Sequence, residues 1–220
     1  MRVLITGSSS GIGLATAELF LHEGFDVIGI DIKPSSINSD RYTHFVADIS
    51  KAESLPELDD IDYLINNAGA QDSLDDIDVN LKGTINVTEK YAIKAGIKSI
   101  LMVASASAHT GAEFPFYSAS KGGMIAYMRN VAIRVAKFGA TCNSISPGGV
   151  LTELNRPVME DGNLWSRIMD VTPLKKWATP EEIATWIYFL TILNQSCTGQ
   201  DILIDNGEKD LNSTFVWPEN

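Results

Sequence analysis

The sequence is poor in cysteine: only Cys142 and Cys197 occur in 220 residues. They lie far apart, form no metal-type spacing and offer no disulfide framework, so a reduced, cytoplasmic setting is the simplest expectation and no metal site is expected. No apolar run is long enough to span a bilayer. The first residues, "MRVLITGSSSGIG", run straight into a strand-like segment with no signal peptide. Basic residues are scarce, 17 against 28 acidic ones, for a formal charge of −11. With no basic cluster, nucleic acid and anionic membrane are both excluded as main partners. Repeats and low-complexity tracts are missing too. What is present is an ordinary globular composition, 45% hydrophobic and 20% charged. The chain can bury one substantial core and shows no internal break, so residues 1–220 read as a single domain.

Short apolar runs alternate with longer segments of helical periodicity. "RVLIT", "FDVIGID", "THFVAD", "IDYLINNAG", "IKSILMVAS", "ATCNSISPGG" and "QDILIDNG" read as strands. "GIGLATAELFLHEG", "DVNLKGTINVTEKYAIKAG", "GGMIAYMRNVAIRVAKF" and "TPEEIATWIYFLTIL" read as helices, the last with a threonine cap and proline at its first position. This alternation predicts an α/β fold, a doubly wound parallel sheet of about seven strands with helices on both faces. Ligands in such folds bind beyond the carboxyl ends of the strands.

Directly after the first strand comes "TGSSSGIG". Gly7, Gly11 and Gly13, with Ser9 and Ile12 between them, would let the backbone approach a pyrophosphate at a helix N-terminus. Asp31 ends the second strand, where a carboxylate accepts hydrogen bonds from adenosine ribose hydroxyls and repels a 2′-phosphate. Asp48 and Ile49 follow the third strand and could flank an adenine; Asp48 could equally cap the next short helix. "NNAG", with Asn67, Ala68 and Gly69, follows the fourth strand near the same groove.

"FYSASK" places Tyr117 and Lys121 four positions apart at the start of a helical pattern, hence on one face. A phenol is a poor base near pH 7, but a cation a few ångströms away favours the phenolate and lowers its pKa. A tyrosine held in this way can exchange protons with a substrate hydroxyl. An ordinary amphipathic helix carries the same pair, so the rest of the chain decides between them.

"TGSSSGIG", "NNAG", a strand-end serine at Ser105, "YSASK" and "SPGGVLT" occur in that order. With these motifs the chain resembles the short-chain dehydrogenase/reductase family over nearly its whole length. The resemblance implies a Rossmann fold and hydride transfer between a nicotinamide and a secondary alcohol or ketone. It implies Tyr117 as acid/base, Lys121 as the residue that holds the nicotinamide ribose and lowers the tyrosine pKa, and Ser105 as the hydrogen-bond partner of the substrate oxygen. Asn80 would hold a water in the proton relay. Pro147, Gly148, Val150 and Thr152 would contact the nicotinamide carboxamide, and Asp31 would favour NAD over NADP. The resemblance also implies a substrate lid at about 152–179 and a homodimer or homotetramer paired through helices near 78–95 and 117–138. The alternatives are a 3-oxoacyl thioester reductase using NADPH, and a non-catalytic nucleotide sensor, against which the presence of serine, tyrosine and lysine all speak.

Two departures from the family pattern stand out. Ser105 lies 12 residues before Tyr117, one fewer than usual, with Ser107 as the fallback. Only 17 residues separate Ile49 from Asn66 and only 10 separate Ala70 from Asn80, so both intervals should be trimmed of helix. His109, Glu113 and Phe114 lie in the loop before Tyr117; with no acid near in sequence, a bland loop histidine carries at least equal weight. His22 and His44 have no functional case. Met159, Trp165, Met169 and Trp177 would line or pack the lid, Trp177 by packing. Phe215 and Trp217, so near the C-terminus, should dock on this or a neighbouring subunit.

Overall fold

The computed structural model describes residues 1–112 and 114–211. Seven strands form one sheet in the order β3-β2-β1-β4-β5-β6-β7. They are β1 (Arg2–Thr6), β2 (Asp26–Asp31), β3 (Tyr42–Val46), β4 (Tyr63–Asn66), β5 (Ser99–Val103), β6 (Thr141–Pro147) and β7 (Asp201–Ile204). Every pairing is parallel. The main helices are α1 (Gly11–His22), α2 (Thr84–Tyr91), α3 (Ser107–Thr110), α4 (Pro115–Ala136), α5 (Arg156–Glu160), α6 (Gly162–Val171) and α7 (Pro180–Tyr188). The chain winds outward from β1 in one direction, then returns to continue from β4 in the other. The crevice at that reversal, beyond the carboxyl ends of β1 and β4, is where such sheets take ligands.

Alternation along the central strands explains why both faces are covered. Val3 and Ile5 point into one core with Ala17 and Phe20 of α1 and with Ile183 and Ile187 of α7. Leu4 points into the other, with Val87 and Tyr91 of α2 and with Met124, Met128 and Val131 of α4. Edge-to-face rings of Phe20 and Tyr188, 5.3 Å apart, tie α1 to α7. Thr179 and Glu182 form a reciprocal capping box at the start of α7.

The trimmed intervals are visible. Between β3 and β4 only one tight turn of helix remains, Ala52–Ser54. No helix stands between β4 and Asp76; the following segment, Ile77–Gly83, has the wide turns of a π-helix and leads into α2. Sequence periodicity gave an uninterrupted helix here. The wide turns accompany Asn80, whose side chain is drawn inward to bond Ala70. The one-turn helix α3 had no sequence signal. No helix among the described residues is long and apolar enough to cross a membrane.

Candidate active site

The turn after β1 is built by close approach. Gly7 has φ +70°, and a Cβ there would lie 2.8 Å from Ala68 Cα. A Cβ on Gly13 would fall 2.0 Å from the Gly7 carbonyl oxygen and 2.5 Å from Asn67 Nδ2. Helix α1 is thus seated directly on the loop. Its first turn has no side-chain cap and no acidic residue, which leaves free amides and the positive dipole end to face an anion. Ser9 and Ile12 belong to this loop and first turn, and Gly11 faces Thr152, whose Cγ2 would be 3.3 Å from an added Cβ.

Asp31 stands at the end of β2, its Oδ2 accepting from Ser9 N at 3.0 Å and its Oδ1 from Lys33 N at 2.9 Å. The carboxylate is therefore fixed against the glycine loop. Tyr42 donates to Ser8 Oγ at 3.0 Å and meets His44 Nδ1 at 3.1 Å. His44 Nε2 lies 2.8 Å from the Lys33 carbonyl. His44 thus braces the loop after Asp31, a role that its place in the sequence did not suggest. Asp48 accepts from Ser50 N and Oγ and pairs with Lys51 at 3.2 Å, and its carboxyl is held below the usual range, chiefly by the Ser50 hydroxyl. It closes a turn; Lys51 holds the N-cap position of the next short helix, with no side-chain cap bond. Ile49 buries its side chain in the core against Gly83. Its carbonyl accepts from Asn86 at 3.1 Å.

Asn67 and Ala68 hang from Thr6. Both amides donate to the Thr6 hydroxyl, at 3.0 and 3.1 Å, and Asn67 Nδ2 donates to the carbonyls of Thr6 and Gly7. Thr6 was missed as a site residue; its signal was its place on the last strand residue before the first glycine. Gly69 presses on the chemical centre, since a Cβ there would sit 3.0 Å from Asn80 Oδ1 and 3.4 Å from Lys121 Nζ.

Asn80 is fully buried. Its Oδ1 accepts from Ala70 N at 2.7 Å, and its Nδ2 donates to Ala70 O and to Ser120 Oγ. Ser120 donates in turn to the Tyr117 carbonyl at 2.7 Å. Ser105, buried just past β5, lies close enough to the Tyr117 phenol to pull its pKa down; Ser107 gives its amide to Ser105 Oγ. Lys121 is buried, with Nζ donating to Val103 O at 2.7 Å and lying 5.7 Å from the Tyr117 ring centre. Burial lowers the Lys121 pKa to about 8, against an opposing pull from the charge of Asp76. The Tyr117 phenol is pushed up, first by burial and further by Asp76, while the Ser105 bond pulls it down.

Burial thus sets the direction of the Tyr117 shift in this structure. The ammonium is turned to the Val103 carbonyl, and burial outweighs the one favourable bond. Asp76 was not singled out from the sequence, where it is one of several acids in "DSLDDIDVN". It is buried at 1% exposure, and neither carboxylate oxygen has a hydrogen-bond partner among the described residues.

The segment after β6 completes the crevice. Pro147 O accepts from Ala106 N at 2.8 Å, joining the two strand ends. Gly148 N donates to Ile204 O, and a Cβ on Gly148 would meet Asp205 at 2.8 Å. Val150 is buried and bridges to Ala178. Trp177 covers Gly149 and meets Trp165 edge-to-face at 5.0 Å, so Trp177 packs as expected. Met159 and Met169 are half-buried. His109 does have an acid partner, remote in sequence: Nε2 is 2.7 Å from Asp201 Oδ2 on β7 and 3.2 Å from Ser146 Oγ. That pairing holds α3 to the sheet. Glu113, Phe215 and Trp217 lie outside the described residues. Among the described residues, no group of three His, Cys, Asp or Glu side chains could hold a metal ion.

The structure thus places a glycine-built turn at a helix N-terminus, an acidic strand end, and Ser105, Tyr117 and Lys121 near one another. Comparison with known proteins agrees. A family model described as enoyl-(acyl carrier protein) reductase matches residues 7–209. The glucose 1-dehydrogenase of Gluconobacter oxydans is 30% identical over 94% of this chain and 91% of its own length. The 3-oxoacyl-(acyl-carrier-protein) reductase of Thermotoga maritima is 33% identical over 93% of this chain and 96% of its own. The structure of a 4-hydroxyisoleucine dehydrogenase mutant complexed with NADH and succinate superposes with a TM-score of 0.87 at 27% identity, covering 97% of this chain and 100% of that one. The chain belongs to the short-chain dehydrogenase/reductase family and is an oxidoreductase of that family.

Proposed function

We propose that the protein transfers a hydride between NAD and a secondary alcohol or its ketone. The observation that carries this reading is the nearness of Ser105, just past β5, to Tyr117 and Lys121 on α4, with Lys121 against the Gly69 turn. The dinucleotide fits the residues present: Gly7 and Gly13 leave no room for a side chain, and α1 offers an uncapped N-terminus. Gly7, Ser9, Gly11, Ile12 and Gly13 would hold the pyrophosphate; Asp31 the adenosine ribose; Asn67, Ala68, Gly69 and Lys121 the inner part; and Pro147, Gly148, Val150 and Thr152 the carboxamide end. Asp31 disfavours a 2′-phosphate by charge, and the NADH-bound neighbour supports the same preference.

When bound, the nicotinamide supplies the hydride acceptor or donor. In the oxidative direction, Tyr117 takes the proton of the substrate hydroxyl, and Ser105 holds the same oxygen as its charge changes. Lys121 keeps a positive charge under the phenol below about pH 8. Residues 152–179 serve as the lid. The exposed apolar side chains of Leu154, Leu164, Val171 and Leu174 suit a cover that closes over substrate and excludes water. Ile133, 78% exposed on α4, supports pairing of subunits through that helix. The Thermotoga maritima relative favours a second reading, reduction of a 3-oxoacyl thioester.

The test is NADH formation from NAD with secondary alcohols, polyols, sugars and hydroxyacyl esters, with Tyr117→Phe as control. Turnover that vanishes in the variant supports the reading. Turnover only of the acyl esters replaces it with the second. Failure to bind NADH removes it.

A further inference from the structure

Asp76 is in an odd position for an acid. It is the residue preceding the wide-turned segment Ile77–Gly83, yet its side chain caps nothing. It is 1% exposed, and both carboxylate oxygens lack a partner among the described residues. Among the described residues Asp76 has no ion pair: Lys82 pairs with Asp78, and Lys121 Nζ bonds the Val103 carbonyl. A buried carboxylate without donors is costly, and an orphan of this kind in a folded protein points to a ligand that supplies them.

The surroundings say where that ligand would lie. Asp76 lines a cavity of about 240 Å³ with Asp72, Ser73, Leu74, Phe114, Pro115 and Phe116. The Pro115–Phe116 wall runs directly into Tyr117, and the charge of Asp76 is felt by both Tyr117 and Lys121. The cavity adjoins the segment that leads into Tyr117. Its walls are apolar except for acceptors and one hydroxyl, and none of its lining residues is a cation. Such a space repels carboxylates, phosphates and other acceptor-only groups, and it suits a small molecule whose C–H faces lie on the rings.

Resting on the dehydrogenase reading above, we propose that Asp76 is a specificity-determining residue that selects a vicinal diol or larger polyol. It does so by accepting hydrogen bonds from hydroxyls next to the reacting carbinol. Two adjacent hydroxyls present two donors to the two free carboxylate oxygens. A simple alcohol leaves those oxygens buried and unmet, so it is discriminated against by the cost of the orphan as well as by the missing bond. An acyl thioester offers only acceptors there and is disfavoured for the same reason.

The experiment compares 2,3-butanediol with 2-butanol in the full-length protein with NAD, using wild type, Asp76→Asn and Asp76→Val. Calorimetric titration of each alcohol into the NADH-bound protein runs alongside. The expected result is a diol preference in kcat/KM of roughly 10- to 100-fold, falling towards unity in Asp76→Val and partway in Asp76→Asn. Circular dichroism and NADH affinity check the fold; if the valine variant does not fold, the near-isosteric Asn variant carries the comparison. A wild-type ratio near one, a ratio unchanged in the variants, or no binding of the diol overturns the proposal. Tyr117-dependent turnover with no diol preference would overturn this inference and leave the dehydrogenase reading standing. Diol binding that depends on Asp76 with no turnover would do the reverse.

Discussion

The two halves of the crevice treat their polar groups in opposite ways. On the nucleotide side, around β1 and β2, polar groups are met by other residues. Thr6 takes two amides, Asn67 bonds two carbonyls, both Asp31 oxygens accept backbone N–H groups, and Tyr42 sits between Ser8 and His44. On the substrate side, around residues 72–76, 105–117 and 149–177, Asp76 has no partner for either oxygen among the described residues and Trp177 Nε1 has none. Asp72 and Phe114 hold left-handed backbone at φ +59° and +44°. Helices α5 and α6 bury no residue. The first half is a finished mould whose ligand needs only its shape and charge filled. The second keeps unmet hydrogen-bonding capacity and local strain, which a substrate can satisfy and which sets what that substrate is.

The strongest way to break this contrast is Tyr117→Phe, at the seam between the halves. Turnover should fall by roughly 10²–10⁴-fold, while NADH affinity stays within a few-fold, because the phenol hydroxyl is no part of the mould. Fluorescence titration with NADH beside steady-state rates checks it. A matched loss of affinity would mean that the halves are one unit. Next in size is Gly13→Ala. Its Cβ would sit 2.0 Å from a backbone oxygen that cannot yield, so overpacking should cost about 1–3 kcal/mol or more. Thermal unfolding should show that loss, roughly 2–4 °C per kcal/mol at this size, with nucleotide binding lost alongside.

Lys121→Met sharpens the comparison from the other direction. The folded-state pKa of about 8 lies below the ordinary 10.5 because of burial. The unfolded chain thus holds this proton more tightly, and the cost of burying the charge is full below about pH 8. It fades as pH rises from 8 to 10.5. The variant should lose activity, yet be more stable than wild type at pH 7 by about 1–2 kcal/mol, after the lost bond to Val103 O is counted. Denaturant melts at pH 7, 9 and 10.5 should show that advantage shrinking. An advantage that grows with pH would sink the argument.

What could be read from the sequence follows the same division. The nucleotide side was legible because its constraints are local. The glycines of "TGSSSGIG", the strand-end Asp31 and the Tyr117–Lys121 spacing each state their geometry within a few residues, and the strand alternation fixed a parallel sheet. Thr6 and His44 were missed because their work is done across strands, between residues distant in sequence. The same holds for His109, whose acid partner Asp201 is contributed by β7. Asp76 was illegible for a further reason: among several acids, only burial marks out the one that has lost its water. The contact of Lys121 with the Val103 carbonyl was illegible too, because spacing gives proximity to Tyr117 but not the direction of the ammonium.

The smallest expected effect, that of Phe114→Gly, is read against a matched backbone change in the other half. Gly7 and Phe114 both occupy the left-handed region, at φ +70° and +44°. An alanine at Gly7 would bear that strain and also place its Cβ 2.8 Å from Ala68 Cα. It should destabilise by about 1–3 kcal/mol. Phe114→Gly runs the opposite way. It removes about 1–2 kcal/mol of left-handed strain, against the added chain entropy of glycine, about 0.5–1 kcal/mol, and the loss of a half-buried ring. The balance should lie within about 1 kcal/mol of zero, since the opposing terms are of similar size. The effect should appear instead in KM for the substrate, because Phe114 walls the cavity that Asp76 faces, while NADH affinity holds. If Phe114→Gly proved as damaging to stability as Gly7→Ala, the strained turn would be part of the scaffold, and the division between a finished half and an adaptable half would fail at that point.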